Sequence, residues 1–209
     1  MSTRKITLPN ALSLARMIAG PVIVSIFFLC DPTLAREVSW ISIYVLACLS
    51  DFLDGWIART YPTQASLFGE YIDQLADKVF IGSLTVFIFF EGVLISASLE
   101  SWQLLCLVVI ILREARVSYI RGLAVSDKTK IPSGTTGKWK TGFQMVAIGL
   151  LLGRDSFFAQ VLEQTVPHIS FDHAMNTTLI VALVLTLLSW IEYEKSYRPN
   201  VGHKTLTRS

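Results

Sequence analysis

At 209 residues the chain is long enough for one sizeable core, but 52% apolar residues, only 16% charged residues and a mean hydropathy of +0.53 do not suit a water-soluble domain of that size. A net charge of +2 names no partner class by itself, and no nucleic-acid partner is expected. The three cysteines, Cys30, Cys48 and Cys106, lack metal-ligand spacing and read as small apolar packing residues.

Along the chain, residues 1–9 are too short for a transit peptide, and the apolar block that follows is too long for the core of a signal peptide. No small-residue cleavage site follows that block before Cys30 and Asp31, and the shortness of the segment before it favours a bacterial cytoplasmic membrane protein. Apolar blocks recur, each extended by helix-compatible flanks, and they predict membrane helices over about 11–29, 38–59, 67–90, 102–123, 139–153 and 175–193. A short turn at Tyr61 and Pro62 makes the second and third helices an antiparallel hairpin. Residues 126–137 carry Asp127, Lys128, Lys130, Pro132 and Gly134 and read as an irregular loop, and 155–173 leaves room for a short interfacial helix.

The fold class expected is therefore an all-α integral membrane protein of six transmembrane helices, forming a single domain over 1–209 with no internal repeat. Six spans place both termini on one side. Of the 18 Lys and Arg, only Arg36 and Arg154 fall in the opposite loops, so the terminal side is expected to be cytoplasmic.

Four aspartates crowd the second and third helices. Asp51 and Asp54 are three apart, Asp73 and Asp77 four apart, so each pair shares a helix face near the cytoplasmic end. Four uncompensated carboxylates in a membrane are very costly, and Lys78 and Arg59 offset at most part of the charge. Divalent cations are the natural compensation, because hard oxygen ligands suit Mg2+ or Mn2+ and four carboxylates can hold two ions. Salt-bridged helix ends and a proton or cation pathway are the competing readings. Gly55 and Gly69, with Ala58 more weakly, remove bulk where a ligand approaches, and Arg59 is a bidentate phosphate binder. Together these residues describe a pyrophosphate site better than an ion channel.

The stretch Asp51-x2-Asp54-Gly55-x2-Ala58-Arg59, nine residues, Gly69-x3-Asp73-x3-Asp77 resembles the signature of the CDP-alcohol phosphotransferases, with all eight signature residues present. The run Pro9-Asn10 to Arg16 is similar to the opening of that family's first helix, and six spans match its architecture. The resemblance implies that Asp51, Asp54 and Asp73 bind two divalent cations, that Asp77 binds metal or acts as general base, and that Gly55, Ala58, Arg59 and Gly69 form the CDP site. It also implies a homodimer and a reaction in which an acceptor hydroxyl attacks the lipid-side phosphorus of CDP-diacylglycerol and releases CMP.

Segments around Arg113-Glu114 to Arg121 and Gly137-Lys138 to Met145 resemble the branch of the family whose acceptor is glycerol-3-phosphate. Arg113 and Arg121, eight apart, lie within about 80° of each other on a helix, Arg116 lies about 60° off on the other side, and Lys138 and Lys140 begin the fifth span. Flanking positive charge of the ordinary kind is the plain alternative, least applicable to Arg113, which residues 104–112 place deep in its span. This set suggests an acceptor with its own phosphate. Cardiolipin synthesis and phosphatidylinositol-phosphate synthesis are the neighbouring readings, and a cation transporter the reading from another class. Gly134-Thr-Thr-Gly137-Lys138 is not a P-loop, since Pro132 and Trp139 occupy required Gly and Ser/Thr positions.

Overall fold

Unbroken runs of Leu, Ile, Val, Ala and Phe bounded by Pro, Asp, Ser and Gly form helices here, because the backbone in an apolar setting must satisfy its own hydrogen bonds. The computed structural model describes residues 8–60, 67–95, 99–126, 135–165 and 170–206, all of its regular structure being helical. The helices are α1 (Leu8–Leu29), α2 (Leu34–Thr60), α3 (Leu67–Phe90, continued by a π turn over Glu91–Ile95), α4 (Ser101–Ser126), α5 (Thr135–Gly153), α6 (Phe157–Thr165) and α7 (Phe171–Leu206). Each of the six expected spans falls on a helix, and the short α6 occupies the segment left open between the last two. The Tyr61–Pro62 turn and most of the 126–137 loop lie outside the described residues.

Two of the described helices, through Ala11–Leu29 and Phe171–Lys195, are long and apolar enough by themselves to cross a membrane. The others carry ionisable residues within their apolar stretches, as Asp51 does in α2 and Arg113 in α4. Large apolar side chains point outward all along these helices: Leu29 is 83% exposed, Leu46 66%, Leu105 63% and Ile180 50%. Such surfaces suit lipid and not water, and the protein is a membrane protein.

The chain forms two compact units, Met1–Glu91 with Asp155–Val161, and Gly92–Arg154 with Leu162–Ser209. In the first, α1 packs along both α2 and α3. Gly20 makes the α1–α3 approach close. A Cβ there would stand 2.3 Å from Ser83 Oγ and 3.0 Å from the Phe80 carbonyl oxygen, so only glycine fits without a shift of backbone. Ile23, Ala76, Phe80 and Leu84 are fully buried beside it, and Tyr44 of α2 lies against Phe80 with ring centroids 5.5 Å apart. α6 is capped within this unit: Ser156 Oγ accepts from the Ala159 N–H at 3.1 Å, and the Glu37 carboxylate accepts from the Phe157 N–H at 3.0 Å. In the second unit α7 packs on α4 and α5. Leu107, Leu151, Leu179 and Ala182 form its fully buried core, and Gln103 of α4 donates to Asn176 of α7 at 2.7 Å.

Candidate active site

Helical periodicity puts Asp73 and Asp77 on one face of α3, and the packing of α1 against α2 and α3 brings Asp51 to them. Each of the three offers a carboxylate oxygen, and these oxygens lie within 4.8 Å of one another. Three carboxylates this close could share a hard divalent cation after small side-chain adjustments, and an all-carboxylate donor set selects such cations. The side chains of Asp51, Asp73 and Asp77 are 33%, 43% and 33% exposed, so the cluster keeps an open side for a ligand. Residues of the right chemistry and spacing are thus present for a divalent metal.

The compensating charge comes from an unexpected helix. Arg16 of α1, wholly buried in its side chain, reaches with Nη1 the carboxylates of Asp51 at 2.7 Å, Asp73 at 3.3 Å and Asp77 at 2.5 Å. Its Nε donates to Ser50 Oγ at 3.3 Å, and Ser13, one turn earlier on α1, donates to Asp73 at 3.3 Å. Lys78, expected to share this task, lies one residue after Asp77 on α3, exposed and with an interaction of its own. The expected picture of aspartate pairs facing across a cavity is therefore modified: a guanidinium stands between α2 and α3. Three carboxylates meet one guanidinium in these contacts, a negative balance that still suits a divalent cation. A visible signal existed for Arg16, because it is the one ionisable residue in the Ala11–Leu29 block.

Asp54 follows Asp51 by three residues on α2, and Gly55, Ala58 and Arg59 continue the same helix, while Gly69 lies in the first turn of α3. The side chains of Asp54, Ala58 and Arg59 and the surroundings of the two glycines lie outside the described residues. So do the side chains of Arg121 on α4 and Lys138 on α5.

Of the cationic set, Arg113 and Lys140 are described, each 4% exposed, and they meet in the second unit. Arg113 donates from Nη1 to Glu114 at 3.1 Å and from Nη2 to Ser189 at 2.5 Å, and its guanidinium lies 5.6 Å from the Tyr193 ring centroid. Lys140 donates to the same Glu114 oxygen. Glu114 was not singled out by its charge pattern, since it reads as one acidic residue among flanking cations. Gln144, one turn beyond Lys140 on α5, is 2% exposed, and its Nε2 has no hydrogen-bond partner among the described residues; nor has Arg113 Nε. Two buried donors are thus left over, Arg113 Nε beside the Glu114 carboxylate and Gln144 Nε2 one turn along α5 from Lys140, and such donors can take further anionic oxygens. Arg116 differs: it is exposed and pairs with Glu194 at 2.9 Å.

The sequence model of the CDP-alcohol phosphatidyltransferases matches residues 6–192. The chain is 37% identical over 145 residues to a CDP-diacylglycerol--glycerol-3-phosphate 3-phosphatidyltransferase of Rickettsia bellii, covering 69% of this chain and 74% of that protein. It is 34% identical over 198 residues to a probable phosphatidylglycerophosphate synthase of Mycobacterium tuberculosis, covering 93% of this chain and 83% of that one. A cardiolipin synthase (CMP-forming) of Oryza sativa is 33% identical over 153 residues, 70% of this chain but 46% of its own length.

Proposed function

Because the chain belongs to the CDP-alcohol phosphatidyltransferase family, we propose that it transfers the phosphatidyl group of CDP-diacylglycerol to glycerol-3-phosphate, giving phosphatidylglycerophosphate and CMP. The observation that carries this reading is the gathering of Asp51, Asp73 and Asp77 within 4.8 Å in a chain whose relatives include the glycerol-3-phosphate phosphatidyltransferase of Rickettsia bellii. The acceptor oxygen bonds to the phosphorus nearer the lipid, and the bond from that phosphorus to the CMP oxygen breaks with its electron pair. Asp51, Asp54 and Asp73 would hold two divalent cations, Mg2+ or Mn2+, and Asp77 would be a further ligand or the base that receives the proton of the attacking hydroxyl. When bound, the cations neutralise the diphosphate and lower the proton affinity of the acceptor hydroxyl. Gly55, Ala58, Arg59 and Gly69 hold the CDP portion.

Arg113, Arg121, Lys138 and Lys140 take the acceptor's phosphate. The burial of Arg113 and Lys140 supports this, because cations held out of water serve an anionic ligand better than a neutral one. Six transmembrane helices, both termini in the cytoplasm of a bacterium, a single domain over 1–209 and a homodimer complete the proposal. The family match runs through residues of both units, which supports one domain. The transporter alternative leaves that match without a purpose.

The rice relative keeps cardiolipin synthesis as the second reading, with phosphatidylglycerol as acceptor. An acceptor panel decides between them. Purified protein with CDP-diacylglycerol should release CMP fastest with glycerol-3-phosphate. Faster release with phosphatidylglycerol or an inositol phosphate would overturn the acceptor, and CMP release with none of them would overturn the activity.

A further inference from the structure

A single guanidinium in contact with three carboxylates has a consequence for how the site fills. We propose that Arg16 is a resident counter-ion that restricts the aspartate site to one divalent cation until the diphosphate of the donor arrives, so that the second cation binds only together with donor. This rests on the reading of Asp51, Asp54, Asp73 and Asp77 as metal ligands.

The four aspartates and two divalent cations would balance in charge. Arg16 adds one positive charge that cannot be shed, because a guanidinium stays protonated in proteins. A site loaded with two cations and no donor would then carry a net positive charge against a guanidinium that has no exposure to water, which is costly. With Asp54 counted as the fourth ligand, one cation leaves the site slightly negative. The donor's diphosphate brings two negative charges and makes the second cation favourable. The geometry keeps the guanidinium in place: its side chain has no exposure, Nε is tied to Ser50 Oγ at 3.3 Å, and Nη1 lies 2.5–3.3 Å from the three carboxylates. Arg16 is thus a positioning residue, acting on cation occupancy and not on the reacting atoms.

The test counts Mn2+ per chain by electron paramagnetic resonance on the full-length protein in detergent, with and without CDP-diacylglycerol. The wild type should bind one Mn2+ alone and two with the lipid, and the signal of a coupled Mn2+ pair should appear only with the lipid. Arg16→Met should bind two without it, whereas Arg16→Lys, which keeps the charge, should behave as the wild type. A purely structural Arg16 would alter thermal stability in Arg16→Met and leave its stoichiometry at one, overturning the proposal. Two Mn2+ on the wild type without lipid would overturn it as well, and this measurement stands even where Arg16→Met does not fold. No Mn2+ under either condition would overturn the metal reading itself and the inference with it.

Discussion

Replacing Lys140 by Met removes an ammonium and keeps most of the aliphatic stem, so packing on α5 changes little. Lys140 is 4% exposed and shares Glu114 with Arg113. Two effects separate. In the free protein Glu114 loses a charged partner but keeps Arg113 at 3.1 Å, and its side chain is 29% exposed. The stability cost is therefore at the lower part of the about 1–3 kcal/mol expected for a buried polar group left short of a partner. In the acceptor complex a charge-assisted contact worth about 1.5–3 kcal/mol is lost. By the relation of about 1.4 kcal/mol per decade, the KM for glycerol-3-phosphate should rise roughly tenfold to a hundredfold. Initial-rate measurements of CMP release, varying each substrate in turn, should show this rise with an unaltered KM for CDP-diacylglycerol. Adding Glu114→Gln should restore part of the stability and none of the acceptor affinity. If both KM values rise together, the cluster supports the fold or the donor site instead. If neither changes, Lys140 does not touch the acceptor.

Asp73→Asn should abolish CMP release even at saturating Mg2+ or Mn2+, because an amide supplies no anionic ligand; near-normal turnover in a folded variant removes the metal assignment. Chelation by EDTA should likewise stop the wild type, with recovery on adding either ion. Gly20→Ala forces a Cβ against the Phe80 backbone and should cost about 1–3 kcal/mol in detergent unfolding, whereas Gly82→Ala, with nothing within 4 Å of its Cβ position, should be near neutral. An impermeant maleimide should label the exposed Cys30 from the outer face, and a cysteine at Ser133 in a Cys30→Ser background only from the cytoplasm. Labelling of both from one side would break the six-span topology.

Local relations were legible in the sequence. Asp73 and Asp77 fall on one face because their offset matches the helical turn, and Arg113 was placed deep in α4 by the apolar run before it. Partners separated by long stretches of chain were not. Arg16 meets its aspartates 35, 57 and 61 residues away, and nothing in a helical period reports which helix packs between two others. Glu114 is a similar case: its neighbour Arg113 was visible, but Lys140 is 26 residues on. Span counting from apolar blocks also meets a physical limit, since α2 and α4 carry charged residues that lower the apolarity of any window that includes them.

The separation between Arg16 and its partners also bears on the order in which the protein is made. α1 leaves the ribosome before α2 and α3, and Asp51 follows Arg16 by 35 residues, Asp77 by 61. An arginine near the middle of a span costs about 2.5–3.5 kcal/mol on insertion scales, a cost that the three carboxylates offset in the folded protein. Arg16 stands in the first half of α1, where its long side chain can stay in the headgroup region, while the apolar turns from Ile23 to Leu29 carry the insertion. Pairing with aspartates that come later in the chain relieves that cost, so the contacts of α1 with α2 and α3 carry an electrostatic as well as a packing gain.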